Sequence, residues 1–261
     1  MILHVLGSCA GTEPMPGRHH TSVALEVGGR LYVLDAGEGC AYTAHLLRLN
    51  LMNLQAVFLS HTHMDHIGGL AHLLWTMRKL CVLSPENSRR MQDREIPVFL
   101  PEERAFSAIL DFLKCTEGGF KTVFRPVSRP MTDGLLFDDG VLSVYALHNH
   151  HWEPAAGEPW KSYSFSVEGE GKKLCYSGDF KELEEVLPLA EHADLILLET
   201  GHHRAVDLCR ELLASGIPFG KVLFFHHGRA ILKDFEGELA QAREVLGDRV
   251  SFAQDGMRVE F

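Results

Sequence analysis

The chain has 261 residues, 46% hydrophobic and 23% charged, which is enough apolar chain for a sizeable core and ordinary for a soluble globular protein. Lysine plus arginine number 25 against 35 aspartate plus glutamate, and this formal charge of −10 argues against a surface built to hold long nucleic acid. No apolar stretch reaches the length of a membrane span, and Met1–Leu6 ends at Gly7 without a basic leader, so a cytoplasmic protein is expected.

Met1–Leu6, Ser22–Val27 and Arg30–Leu34 are rich in aliphatic and β-branched residues and read as strands, with Gly28-Gly29 joining the last two in a hairpin. A helix is predicted from about Gly39 to Leu49, with Tyr42, Leu46 and Leu49 on one face. The buried strand Ala56–Ser60 then runs straight into His61. Helices follow over Ile67–Lys79, with Leu70, Leu73, Leu74 and Met77 at helical spacing, and over Glu102–Lys114, with Phe106, Ile109, Leu110 and Leu113 turned inward. Val141–Leu147, Ser162–Val167 and Lys173–Tyr176 read as strands. The rest alternates: helix Phe180–Leu187, strand Leu195–Leu198, helix Ala205–Ala214, strand Val222–Phe225, helix Ala230–Leu246, then strands Arg249–Ala253 and Met257–Phe261. This order fits an α/β (α+β) fold, with two sheets face to face and helices outside, as one domain over residues 1–261. The six cysteines (Cys9, Cys40, Cys81, Cys115, Cys175 and Cys209) form no Cys-x-x-Cys pair and are read as reduced thiols.

Histidine is the residue whose placement is unusual. Of 16, ten fall in four short clusters, at 61/63/66, 148/150/151, 202/203 and 226/227. Histidine is the commonest metal ligand, so clustering calls for a metal explanation first. In Ser60-His61-Thr62-His63-Met64-Asp65-His66, the period of two points His61 and His63 the same way, toward one ion. Asp65 and His66, after the chain turns, can face a second ion, and Gly68-Gly69 lets the backbone pass tightly before the helix.

These residues resemble the metallo-β-lactamase superfamily, and within it the branch around ribonuclease Z and the cyclic phosphodiesterase-like enzymes. The resemblance is densest in Leu6-Gly7-Ser8-Cys9-Ala10-Gly11-Thr12, in Leu34-Asp35-Ala36-Gly37-Glu38-Gly39 and in Ser60–Gly69. The glycine-rich opening lacks the spacing and following helix of a dinucleotide loop. The resemblance implies a four-layer αββα sandwich with two divalent metal ions, zinc before manganese or iron. Its metal ligands here would be His61, His63, Asp65, His66, a third histidine for the first ion, a bridging aspartate and a last histidine for the second ion. Tyr176-Ser177-Gly178-Asp179 matches the bridging motif and assigns Asp179. For the third histidine, the Asn-x-His order favours His151, with His148 in reserve and His150 last. For the last, His226 fits and His227 is the alternative. Asp35 would orient a ligand histidine from behind.

The implied reaction is hydrolysis by a metal-bound hydroxide, with Asp65 or a histidine of the pair His202-His203 as proton donor. A cationic centre in an acidic protein favours a small or nucleotide-like anionic phosphodiester. No counterpart of the long tRNA-capturing arm of ribonuclease Z is visible, and residues 85–140 contain a helix of apolar periodicity. The alternatives are a ribonuclease Z-like tRNA 3′-end endonuclease, a thioester, lactone or carboxylic ester hydrolase, and a non-hydrolytic cofactor-pathway protein. No membrane partner is expected, and a homodimer is allowed.

Overall fold

The computed structural model describes residues 1–261. β1 (Ile2–Gly7), β2 (Ser22–Val27), β3 (Arg30–Leu34), β4 (Leu54–Phe58), β5 (Glu95–Phe99) and β6 (Arg125–Arg129) lie side by side in that order, antiparallel through β3 and parallel beyond it. β7 (Gly134–Asp138), β8 (Leu142–His148), β9 (Tyr163–Gly169), β10 (Lys172–Tyr176), β11 (Leu195–Thr200), β12 (Lys221–His227) and β13 (Val250–Phe252) form a second sheet. It too is ordered as the chain runs, antiparallel through β10 and parallel beyond. β14 (Arg258–Glu260) returns to pair with β1.

The alternation along each strand explains the layering. In β3, Tyr32 and Leu34 face the second sheet and, with Phe58 of β4, share one core with Phe165, Tyr176 and Phe225 of that sheet, while Leu31 and Val33 face outward. A strand buried on both faces needs a cover on each side. The outer cover of the first sheet includes α1 (Cys40–Leu46), α2 (Met64–Ile67), α3 (Leu70–Leu83), α4 (Pro85–Met91) and α5 (Glu103–Thr116). The second sheet repeats the pattern. Its Leu223 and Phe225 point inward, and Val222 and Phe224 pack outward against α6 (Leu187–Ala190), α7 (Ala205–Ser215), α8 (Arg229–Lys233) and α9 (Phe235–Leu246). The result is the four-layer αββα sandwich. No helix is long and apolar enough to cross a membrane.

Several elements differ from the sequence reading. The helix expected over Ile67–Lys79 is divided into α2 and α3, and a Cβ at Gly69 would lie 2.1 Å from the Gly37 carbonyl oxygen, so the two loops can close only over glycine. Ala230–Leu246 is likewise two helices, broken at Asp234, whose side chain accepts the Gly237 N–H and caps α9. Phe180–Leu187 contains only a 3-10 turn, Leu183–Glu185, before α6 starts over Leu187-Pro188. In α1, Tyr42 and Leu46 are exposed and the buried face is Cys40, Ala41, Thr43 and Ala44, because small residues let this helix lie close to the sheet. Residues 85–140 supply β5, β6 and β7, strands that the periodicity did not reveal. All six cysteines are unpaired, and only Cys115 is exposed.

Candidate metal centre

The parallel halves of the two sheets bring the C-terminal ends of β3, β4, β10, β11 and β12 to one edge, a rigid support for side chains from distant parts of the chain. β4 delivers Ser60 and His61 to this edge, both fully buried. Behind them lies Asp35, held just past β3 at φ 55°. Its carboxylate accepts from the Ser60 N–H at 2.6 Å, the Ser60 hydroxyl at 2.7 Å and the Tyr176 hydroxyl at 2.6 Å. It also accepts from His66 Nδ1–H at 2.7 Å. An ionised carboxylate only accepts, so His66 carries its proton on Nδ1 and presents a bare Nε2 forward. The Ser60 hydroxyl, already donating to Asp35, accepts from His61 Nδ1–H at 3.1 Å, which frees His61 Nε2 in the same way.

Two groups of donor atoms converge in front. His61 Nε2 lies 2.9 Å from His63 Nδ1, and His63 Nδ1 lies 3.3 Å from His151 Nε2. Asp179 Oδ2 closes this group at 3.8 Å from His61 and 3.7 Å from His151. In the second group His226 Nε2 is 3.1 Å from Asp65 Oδ2 and 3.2 Å from His66 Nε2. Asp179 Oδ1 lies 3.3 Å from each of these two imidazole nitrogens. Donors around a tetrahedral zinc with bonds of about 2.0–2.1 Å sit roughly 3.3 Å from one another, so both groups have the spacing of a metal shell. A second observation agrees: Asp179 Oδ1 is buried and has no hydrogen-bond partner. The donor set of imidazoles and carboxylates suits zinc, manganese or iron.

The buried carboxylates and imidazoles of the cleft shift one another's charge. Burial pulls His226 down, but Asp179, the hydrogen bond to Asp65 and the Glu199 carboxylate 3.5 Å from Nδ1 carry its pKa up to about 9. Burial likewise raises Asp179, yet His226 and His66 hold it well below the usual carboxylate range.

A family model described as the β-lactamase superfamily domain matches residues 30–210, more than half of the chain. The chain belongs to the β-lactamase superfamily. Ribonuclease Z of Treponema pallidum is 40% identical over 105 residues, but that match spans only 35% of this chain and 34% of the relative. Ribonuclease Z of Ignicoccus hospitalis is 28% identical over 92% of both chains. Among solved structures, the metallo-β-lactamase-fold protein YhfI from Bacillus subtilis superposes with a TM-score of 0.78 at 17% identity, covering 100% of this chain and 99% of that one. This is the fold of the superfamily's metal-dependent hydrolases.

Within this superfamily fold the neighbouring histidines separate by environment. His227 points away from the centre, donating Nε2–H to the Ala253 carbonyl at 2.9 Å and setting Nδ1 3.0 Å from the Thr200 hydroxyl, and burial lowers its pKa to about 3. A register shift in β12 and a φ of 51° at His226 turn the two rings apart. His148 is outside the centre, paired with Asp133 at 2.7 Å, and His150 is paired with Glu185 at 3.0 Å. His202 faces the cleft, half-exposed, with Nδ1 2.9 Å from Glu199 Oε1, a bond that raises its pKa. His203 stacks on Phe180 instead, at 4.4 Å.

The resemblance places an acidic residue and a histidine after β11 and a glycine-rich turn near the site, and the structure shows what they touch, while Tyr176 and Trp152 drew no role from the sequence. Glu199 is fully buried and accepts from the Gly201 N–H, the His202 N–H and His202 Nδ1–H. Burial raises it, but the hydrogen bond from His202 and the nearby His226 ring bring its pKa to about 2. Tyr176 anchors Asp35, and Trp152 stacks on His63 at 4.8 Å. The loop Ala10–Thr12 forms the opposite wall of the cleft. Glu199, separated by Thr200 from Gly201-His202-His203, and the glycine-rich run ending at Thr12 were the visible signals. Tyr176 reads as an ordinary core aromatic.

Proposed function

We propose that this protein is a binuclear metal-dependent phosphodiesterase, with zinc as the expected metal and a small or nucleotide-like phosphodiester as the substrate. The observation that carries the reading is Asp179, one buried carboxylate with an oxygen turned to each donor group and no hydrogen bond on Oδ1. His61, His63 and His151 would hold one ion, Asp65, His66 and His226 the other, and Asp179 would join them.

Bound there, two divalent ions supply Lewis-acid charge to a phosphoryl oxygen and lower the pKa of water. The charge balance favours an anionic ester. Two divalent ions outweigh the carboxylates of Asp65 and Asp179, so the filled centre is cationic inside a protein of formal charge −10. Asp35 orients His66 through Nδ1. Glu199 ties Nδ1 of His202 and leaves Nε2 free in the cleft, within reach of a leaving-group oxygen. Asp65 is itself assigned to an ion, whereas His202 keeps Nε2 free, which supports His202 rather than Asp65 as the proton donor.

A second reading, tRNA 3′-end cleavage, is favoured by the similarity to Ignicoccus hospitalis ribonuclease Z along most of the chain. The net charge of −10 places it behind a smaller substrate. One experiment separates the readings. Purified protein is assayed for metal content and then offered bis-p-nitrophenyl phosphate, a precursor tRNA, a thioester and a lactone. Close to two metal equivalents and turnover of the phosphodiester are expected. Turnover of only the thioester or lactone overturns the proposal, and a preference for precursor tRNA replaces it with the second reading.

A further inference from the structure

A cavity of about 270 Å³ lies beside the metal centre, with Trp160, Pro101, Pro130 and Met131 among its apolar walls and Ser128 and Glu103 at its polar edge. Its position is set by strand register. Phe58 of β4 pairs with Phe99 of β5, and Phe99 with Arg129 of β6, all in parallel. The residues after Phe99 and Arg129 therefore stand level with Ser60-His61, one and two strands along the same edge. At about 4.8 Å per strand, the lining residues Pro101 and Met131 stand roughly 5 and 10 Å from Ser60, the neighbour of the donor histidine His61. Tyr163 spans the same gap: its N–H donates to the Ser60 carbonyl at 2.9 Å, and its hydroxyl donates to the Met131 carbonyl at 3.5 Å. One segment also serves both places, since His151 stands at the centre and Trp160, nine residues on, lines the cavity.

We propose that this cavity is a nucleobase subsite: the substrate is a nucleotide phosphodiester whose base stacks beside Trp160 while its phosphate lies at the metal centre. This rests on the phosphodiesterase reading above. A ligand with its phosphate at the centre would extend along this strand edge through a pentose to set its base in the cavity. Trp160 is a fixed platform. One face is stacked on His148 at 4.0 Å and an interplanar angle of 14°, its edge meets His150, and His148 is itself held by Asp133. Stacking on an aromatic surface tolerates any base, because every base has a π-face. The Glu103 carboxylate, which accepts from the Ser128 hydroxyl at 3.0 Å, gives the edge an acceptor for exocyclic amino groups.

The test compares thymidine 5′-(p-nitrophenyl phosphate) with methyl p-nitrophenyl phosphate on the metal-loaded enzyme, and measures adenosine binding by saturation-transfer NMR. A KM at least about tenfold lower for the nucleoside ester is expected. Trp160→Ala removes the platform, and Ser128→Trp plugs the cavity while leaving Trp160 in place. Both bring the KM ratio toward one and abolish the adenosine signal. A preference retained in folded Ser128→Trp, or no adenosine signal from the unaltered protein, overturns the proposal. If neither ester is hydrolysed but adenosine binds and both variants lose it, the subsite stands and the phosphodiesterase reading fails.

Discussion

Asp35 Oδ2 lies 2.7 Å from His66 Nδ1, and through this bond a fully buried carboxylate on the first sheet sets the direction of an imidazole that faces Asp179 on the second. The same oxygen accepts the Tyr176 hydroxyl, so both sheets meet in one acceptor. Asp35→Asn turns one carboxylate oxygen into an N–H donor, which must face either the Ser60 N–H at Oδ1 or the three donors at Oδ2, and in both orientations His66 loses its anionic partner. Metal affinity should fall about 10–100-fold, as it does when a partner behind a metal-bound histidine is lost. Competition with a chromophoric chelator measures this. Unchanged affinity in a folded variant would show that His66 is oriented by packing alone.

Gly201→Ala probes the close approach of two loops. The added Cβ would lie 2.6 Å from His226 Nδ1 and 3.1 Å from the Ala10 Cβ, so the His226 ring must move. Metal analysis should show the stoichiometry dropping from near two toward one, since His61, His63 and His151 are untouched. Retention of both ions would mean that the loop, rather than the ring, gives way.

The legible and hidden parts of the site differ in kind. The run from His61 to His66 and the Ser-Gly-Asp turn are dense in polar residues where a strand ends, and polar density at a strand end stands out in any single sequence. Tyr176 and Asp35 did not reveal their bond, because it joins residues 141 apart across the two sheets and each looks locally like its neighbours. The choice between His226 and His227 rested on a register shift in β12, a property of strand pairing rather than of composition. β5 and β6 were hidden for another reason. Glu95-Ile-Pro-Val-Phe and Arg125-Pro-Val-Ser-Arg each carry a proline and weak alternation, and they are strands because β4 offers an edge to extend.

A pH-dependent link between the sheets lies far from the metal centre. Asp139, in the turn between β7 and β8, accepts from Arg30 of β3 at 2.6 Å, from the Tyr32 hydroxyl at 2.8 Å and from the N–H groups of Val141 and Leu142. Burial raises its pKa, but the hydrogen bonds from Tyr32 and the two amides outweigh this and lower it. A carboxylate depressed on folding contributes stability that is present above its unfolded pKa and is lost as pH falls through the folded value. Asp139→Asn should therefore destabilise by about 1–3 kcal/mol at pH 7. The gap from the parent should narrow below about pH 4 in urea titrations. A gap of equal size at pH 7 and pH 3 would assign the effect to shape rather than charge.

His202 can be tested by the leaving group it serves. Its Nδ1 is occupied by Glu199 at 2.9 Å, so only Nε2 is available to the cleft, and removing the ring deletes proton delivery while His61, His63, His151, Asp65, His66, His226 and Asp179 stay in place. A leaving group that departs as a stable anion, such as p-nitrophenolate, has little need of a proton, whereas an alkoxide or a ribose hydroxyl needs one in the transition state. His202→Ala should therefore lower kcat about 10²–10⁴-fold for a phosphodiester with an alcohol leaving group, and far less for the p-nitrophenyl ester. Metal content, measured on the same preparation, should remain near two equivalents. If both esters slow equally with the metals retained, His202 acts in binding or in holding Glu199, and the proton comes from elsewhere in the cleft.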